Sequence, residues 1–120
     1  MAEKLVIMVT HGPDHPEMLT IPFVMAAAAL ASDVDIVMGF QGEGVRVVVP
    51  GVAEQIAVED FQPLQGLLDS VRDLGGTLLV CGPCMKNRHL DPENVVEGVE
   101  IVAAARFIAE ITSATNSLVY

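Results

Sequence analysis

The sequence predicts an α/β fold, a three-layer α/β/α sandwich on a mostly parallel five-stranded sheet. Three observations predict it. Short β-branched runs alternate with helical segments from one end of the chain to the other. The first run, Leu5-Val6-Ile7-Met8-Val9-Thr10, is nearly all apolar, as a strand buried on both faces should be. Aromatic residues make up only 4% of the chain, while Ala, Val and Leu abound, which suits helices packed on a parallel sheet. A length of 120 residues fits a single domain over residues 1–120, long enough for one core.

Each element follows from local chemistry. After the first strand, His11-Gly12-Pro13-Asp14-His15-Pro16 reads as a loop. A helix is predicted from about Ile21 to Ser32, with an irregular turn near Glu17, because Pro22 removes a backbone donor. Asp14 and Glu17 have the spacing of a capping box. Asp35-Ile36-Val37-Met38-Gly39 is a second strand, and Gln41 to Val45 a glycine-rich turn. Arg46 to Gly51 leans towards a short helical segment. Pro63 opens a helix to Leu74, with Leu64, Leu67, Leu68, Val71 and Leu74 on one face, and Gly75-Gly76 ends it. Thr77 to Val80 is a third strand, and Pro83 suits the first turn of a short helix over Cys84 to Arg88. Asp91 to Asn94 is a loop opening another helical turn. Val99 to Val102, Ala103 to Ile111 and Ser117 to Tyr120 complete the alternation as strand, helix and strand.

Charge limits the partners. Six basic against sixteen acidic residues give a formal charge of −10, which repels nucleic-acid phosphates and anionic lipid. No apolar run approaches the roughly 20 residues needed to cross a bilayer, and no basic segment precedes a hydrophobic stretch in the manner of a signal peptide. A cytoplasmic protein with neither nucleic acid nor membrane as partner is expected.

The chemistry concentrates in Leu78-Leu79-Val80-Cys81-Gly82-Pro83-Cys84-Met85-Lys86-Asn87-Arg88, which holds both cysteines of the chain. Ligand sites in open α/β sheets lie beyond the carboxyl ends of the strands. Three loops meet that rule: His11 to Glu17, Gly39 to Gly44, and Cys81 to His89. Cys81 ends a strand and Cys84 starts a helix, where exposed amides favour a thiolate and depress its pKa. Lys86 and Arg88, two of the six basic residues, follow within seven positions of Cys81 and add positive charge. They also suit the plainer role of capping a helix C-terminus, as the two thiols suit that of small buried hydrophobes.

Cys81-Gly82-Pro83-Cys84 is the redox tetrapeptide of thioredoxins, but the setting differs. Only 36 residues follow Cys84, no tryptophan is present, and no downstream Ile-Pro or Thr-Pro supplies a cis-proline loop. The chain instead resembles the DsrE/DsrF-like family, including the TusD-type subunits of sulfur-relay complexes. The resemblance runs from Leu5 to Pro16, through Ile21-Pro22-Phe23-Val24-Met25-Ala26 and Leu78-Leu79-Val80-Cys81, to Gly98-Val99-Glu100-Ile101-Val102 and Ser117-Leu118-Val119-Tyr120. It implies a sulfur carrier or sulfurtransferase-like protein. A cysteine ending the third strand of that family holds a persulfide and an arginine follows it; Cys81 and Arg88 match these. His89 stands where the family often has glycine, and Cys84 lies outside the TusD-type pattern. The resemblance also implies assembly with like subunits, a homo-oligomer. The partners implied are sulfur donor and acceptor proteins or small thiols.

Such chemistry needs one accessible thiol of low pKa and no obligatory cofactor. The expected catalytic residues are Cys81 and Cys84, and the expected substrate-binding residues are His11, Lys86 and Arg88. A dithiol–disulfide oxidoreductase using Cys81 and Cys84 is the alternative, since their separation of three at a helix start lies within disulfide reach. A non-catalytic binding or assembly subunit is the third reading. His11 and His15 with Cys81 and Cys84 are a donor set that would suit zinc, but loop hydrogen bonding is the plainer account of the histidines; no metal is expected. The glycines at 39, 42 and 44 follow the wrong strand for a dinucleotide fingerprint. Glu54, Glu59, Asp60 and Asp69 read as solvated surface.

Overall fold

A computed structural model describes residues 3–120. Five strands form one all-parallel sheet in the order β4-β3-β2-β1-β5: β1 (Lys4–Val9), β2 (Asp35–Phe40), β3 (Thr77–Cys81), β4 (Val99–Val102) and β5 (Asn116–Val119). The helices are α1 (Pro16–Ala31), α2 (Leu64–Asp73), α3 (Gly82–Asn87) and α4 (Ala104–Thr112). The first three strands step in one direction across the sheet, so their right-handed crossovers carry α1 and α2 on one face. The chain then returns from β4 at one edge to β5 at the other, which places α4 on the opposite face. Three layers result, as the alternation predicts.

The central strands are apolar because both of their faces are covered. Val6, Ile7, Met8, Val9, Ile36, Val37, Met38, Phe40, Leu78, Leu79 and Val80 are all buried. Leu19, Phe23 and Ala26 of α1, with Leu64, Leu67, Leu68 and Val71 of α2, close one side. Phe23 stacks on Phe40 with ring centroids 5.8 Å apart. On the other face Phe107 of α4 packs on Gly39, where an added Cβ would come within 2.7 Å of its ring. A chain of ion pairs fastens α4 over this face. Lys4 Nζ reaches Glu110 at 2.6 Å, Glu110 holds Arg106 at 2.7 Å, and Arg106 holds Glu100 of β4 at 2.6 Å.

Four expectations need correction. The first helix has no irregular turn: α1 runs unbroken from Pro16 through Pro22. Pro22 leaves the Met18 carbonyl without its helical donor, but burial of Leu19, Pro22, Phe23 and Ala26 on one stripe outweighs that loss. No capping box forms, because Pro16 takes the first helical position and His15, not Asp14, becomes the N-cap. Leu74 is not on the buried stripe of α2; it is the C-cap residue and 56% exposed. Residues 91–94 form a turn rather than a helical turn, with Asp91 accepting from the Glu93 and Asn94 amides. The lean towards helix after Val45 holds in kind: Gly42–Val48 and Ala53–Gln55 are 3₁₀ segments.

Candidate active site around Cys81

Cys81 ends β3 at the carboxyl edge of the sheet, beside the edge strand β4. The β3–β4 connection runs on the α2 side, where Arg72 donates to the Glu97 carbonyl at 3.0 Å and the Val96 amide donates to Val48. The chain leaving β4 goes to the opposite face as α4. The carboxyl ends of the strands are the edge at which ligands bind in this architecture, and Cys81 lies on that edge. Cys81 pairs with Val102 in the ladder at that edge.

Local sequence then turns the chain sharply. Pro83 occupies the first turn of α3, and Cys81 becomes its N-cap. The Cys84 amide donates to Cys81 Sγ at 3.3 Å, so the thiol does the work usually done by a Ser or Asp oxygen. Cys81 is 8% exposed and Cys84 half-buried, and both are free thiols. Burial pushes the Cys81 thiol pKa up, and the Cys84 side chain pushes it further. The Cys84 amide and the Arg88 charge pull it down, without offsetting the rise. The expected depression of this pKa is thus reversed. The helix start and the cations are present, but the sulfur is less solvated than a strand-end position in sequence suggests.

Arg88 is held from two sides. Its Nη1 donates to the Cys84 carbonyl at 3.2 Å, and its Nε donates to Glu43 at 3.2 Å. Glu43 comes from the 3₁₀ segment after β2 and also accepts from Arg46. These two guanidinium groups hold the Glu43 carboxyl below the usual carboxylate range, with the Arg46 hydrogen bond the larger cause. The chain leaves α3 through a Schellman turn. The Leu90 amide donates to Met85 at 2.9 Å, the His89 amide to Lys86 at 3.0 Å, and His89 adopts φ 59°. His89 thus takes the left-handed conformation that glycine takes more easily, so the backbone keeps its course without glycine.

The other expected residues lie apart. Lys86 is exposed on α3 and makes no ion pair among the described residues. His11 follows β1, two strands from β3 and therefore roughly 10 Å across the sheet edge. Its ring meets His15 edge-on at 5.3 Å, and its Nδ1 is buried with no hydrogen-bond partner among the described residues. Loop hydrogen bonding therefore does not account for that nitrogen. Among the described residues no three His, Cys, Asp or Glu side chains gather as a metal site, so the two histidines and two cysteines do not form a zinc set. Glu54, Glu59 and Asp60 are exposed, while Asp69 is half-buried and paired with Arg72 at 2.6 Å. Glu43 is the site residue that sequence reasoning missed. The available signal was a lone carboxylate between two glycines at the carboxyl end of a strand.

The model of the DsrE/DsrF-like family matches residues 3–120. The chain belongs to this family. Its sequence is 27% identical over 117 residues to the uncharacterized protein MJ0989 of Methanocaldococcus jannaschii, covering 98% of this chain and 99% of that one. The fold is similar to the crystal structure of the YchN protein from E. coli, with a TM-score of 0.83 and 20% identity over 98% of this chain and 99% of that one. It is also similar to MTH1491 of Methanobacterium thermoautotrophicum, a protein of unknown function, with a TM-score of 0.73 and 16% identity at the same coverage. No described helix of this DsrE/DsrF-like protein is long and apolar enough to cross a membrane.

Proposed function

We propose that this protein is a sulfur carrier of cytoplasmic sulfur metabolism, sulfurtransferase-like, that holds sulfane sulfur as a persulfide on Cys81. The observation that carries the reading is the setting of Cys81 Sγ. It sits at the carboxyl end of β3, accepts the Cys84 amide at 3.3 Å, and lies within electrostatic reach of Arg88. The thiolate fraction of Cys81, kept small by burial, attacks the outer sulfur of a donor persulfide, a Cys81 S–S bond forms, and the donor leaves as a thiolate. An acceptor thiolate then attacks that outer sulfur, and the Cys81 thiolate is restored. Neither step needs an external oxidant. The amide and Arg88 offer the anionic persulfide a donor and a positive charge. Donor and acceptor are proteins or small thiols, and Lys86 and His11 remain candidates for contacting them.

One experiment tests this reading. The protein is incubated with a sulfane-sulfur donor, and intact mass is measured for wild type, Cys81→Ser and Cys84→Ser. Gain of one sulfur atom, lost only with Cys81→Ser, is expected; unchanged loading in Cys81→Ser sinks the proposal.

The closeness of the two cysteines favours a second reading. The Cys84 thiolate attacks Cys81 Sγ of the persulfide, hydrosulfide leaves, and a Cys81–Cys84 disulfide remains. A dithiol–disulfide oxidoreductase would use the same bond, and insulin reduction dependent on both thiols would identify it. Assembly with like subunits belongs to the same proposal. The outward side of α4 is uncharged, with Ala104, Ala105, Ala109 and Thr112 exposed and Ile108 59% exposed, because Arg106 and Glu110 turn towards the sheet. In a chain of net charge −10, an uncharged face is one on which two copies repel little.

A further inference from the structure

The turn Gly42-Glu43-Gly44 is built too tightly for an idle loop. A Cβ on Gly44 would lie 2.2 Å from the Val9 carbonyl oxygen, and one on Gly12 would lie 2.6 Å from the Glu43 carbonyl oxygen. Gly42 takes φ +55°, and its Cβ position falls 4.0 Å from Arg88 Nη2. The first and second loops are thus locked together by backbone contact, and Glu43 is presented to Arg88 from a fixed base. The Glu43 carboxylate is shared between Arg46 and Arg88, while Arg88 also binds the Cys84 carbonyl. A continuous path runs from Glu43 through Arg88 to Cys84, whose amide bonds Cys81 Sγ.

We propose that Glu43 is a positioning residue for Arg88, one that holds the guanidinium over the Cys81–Cys84 turn, offsets part of its charge and thereby restrains the reactivity of Cys81. This rests on the reading of Cys81 as the reactive thiol. Charged and titratable groups around that thiol are few. Cys84 and Arg88 come from α3 and its cap, Lys86 and His89 are exposed beside them, and Glu43 and Arg46 come from the 3₁₀ segment. From β4, Glu100 is tied to Arg106. Neutralising Glu43 as glutamine keeps an acceptor for Arg88 Nε, and the Cys84 carbonyl and the Schellman turn still hold the arginine. The charge changes while a hydrogen-bond partner for Arg88 remains.

The test is the pH profile of alkylation by iodoacetamide in a Cys84→Ser background, where Cys81 is the sole thiol. Glu43→Gln should lower the midpoint by about half a pH unit, roughly a threefold faster reaction at pH 7. Arg88→Gln should raise the midpoint and, because Glu43 without Arg88 is drawn to Arg46 alone, Glu43→Gln should lower the midpoint less in the Arg88→Gln background than in its parent. Glu43 is half-exposed, so the urea midpoint of Glu43→Gln should stay near that of its parent. An unmoved alkylation midpoint in Glu43→Gln overturns the proposal, as does an equal shift with and without Arg88. Failure of Cys81 to load sulfur would instead defeat the carrier reading and leave these thiol profiles standing.

Discussion

Two glycine-to-alanine substitutions should act with opposite sign, and the structure supplies both magnitudes. Gly44 sits against β1, and a Cβ there would be 2.2 Å from the Val9 carbonyl oxygen and 2.8 Å from its carbon. Real Cβ contacts do not fall below 3.0 Å, so the backbone must yield by at least about 0.8 Å. The atom in the way is main chain in a central strand and cannot rotate aside. Retreat would also strain the Gln41 amide bond to Val9, 3.0 Å, and the Gly44 amide bond to Gln41, 2.9 Å. Forced overpacking of this kind costs about 3 kcal/mol, a large part of the roughly 5–15 kcal/mol available to a domain. Gly66 lies in α2 with nothing within 4 Å of its Cβ position. Alanine there removes backbone freedom from the unfolded chain and should stabilise by about 0.7 kcal/mol. Urea denaturation should show the difference directly. In thermal unfolding, Gly44→Ala should fall by about 12 °C and Gly66→Ala should rise by about 3 °C. If Gly44→Ala changes stability by less than about 0.5 kcal/mol, the first two loops are not locked as described.

His89→Gly should relieve the left-handed backbone at φ 59° and raise stability by about 0.5–1 kcal/mol in urea titration. Glu110→Gln tests the ion pairs that fasten α4. Lys4 first, and then Arg106, hold the Glu110 carboxyl below the usual range, so its contribution is present above the unfolded pKa and lost as pH falls through the folded one. The variant should be about 1 kcal/mol less stable than wild type at pH 7, with the gap closing below about pH 4.3. Cys81, whose pKa burial raises, should alkylate in the Cys84→Ser protein with a midpoint above about 8.5, and protein stability should decline as pH passes the ordinary thiol value. If two copies meet through α4 as proposed, Ile108→Glu should shift the mass measured by light scattering towards one subunit, and an unchanged mass refutes assembly through α4.

The candidate site was partly legible. The two cysteines and Arg88 lie within eight residues of chain, and Pro83 between the cysteines announces a helix start. Glu43 was hidden because its meaning depends on a partner 45 residues away. His11 follows β1, and the strand order sets that strand two away from β3. Pro22 misled in another way: its local penalty is real, but the apolar stripe around it is buried by tertiary packing.

By itself the sequence determined the alternation of strands and helices, the apolar central strands and the cysteine-bearing strand end. Those features depend on residue period, side-chain shape and the special backbones of proline and glycine, all of which act within a few residues. Tertiary structure alone decided the all-parallel order β4-β3-β2-β1-β5, the burial of Cys81 that raises its pKa, and the link from Glu43 to Arg88. These depend on which distant segments exclude water from one another. Solvation and charge pairing at the thiol follow from that packing, not from the tetrapeptide that contains it.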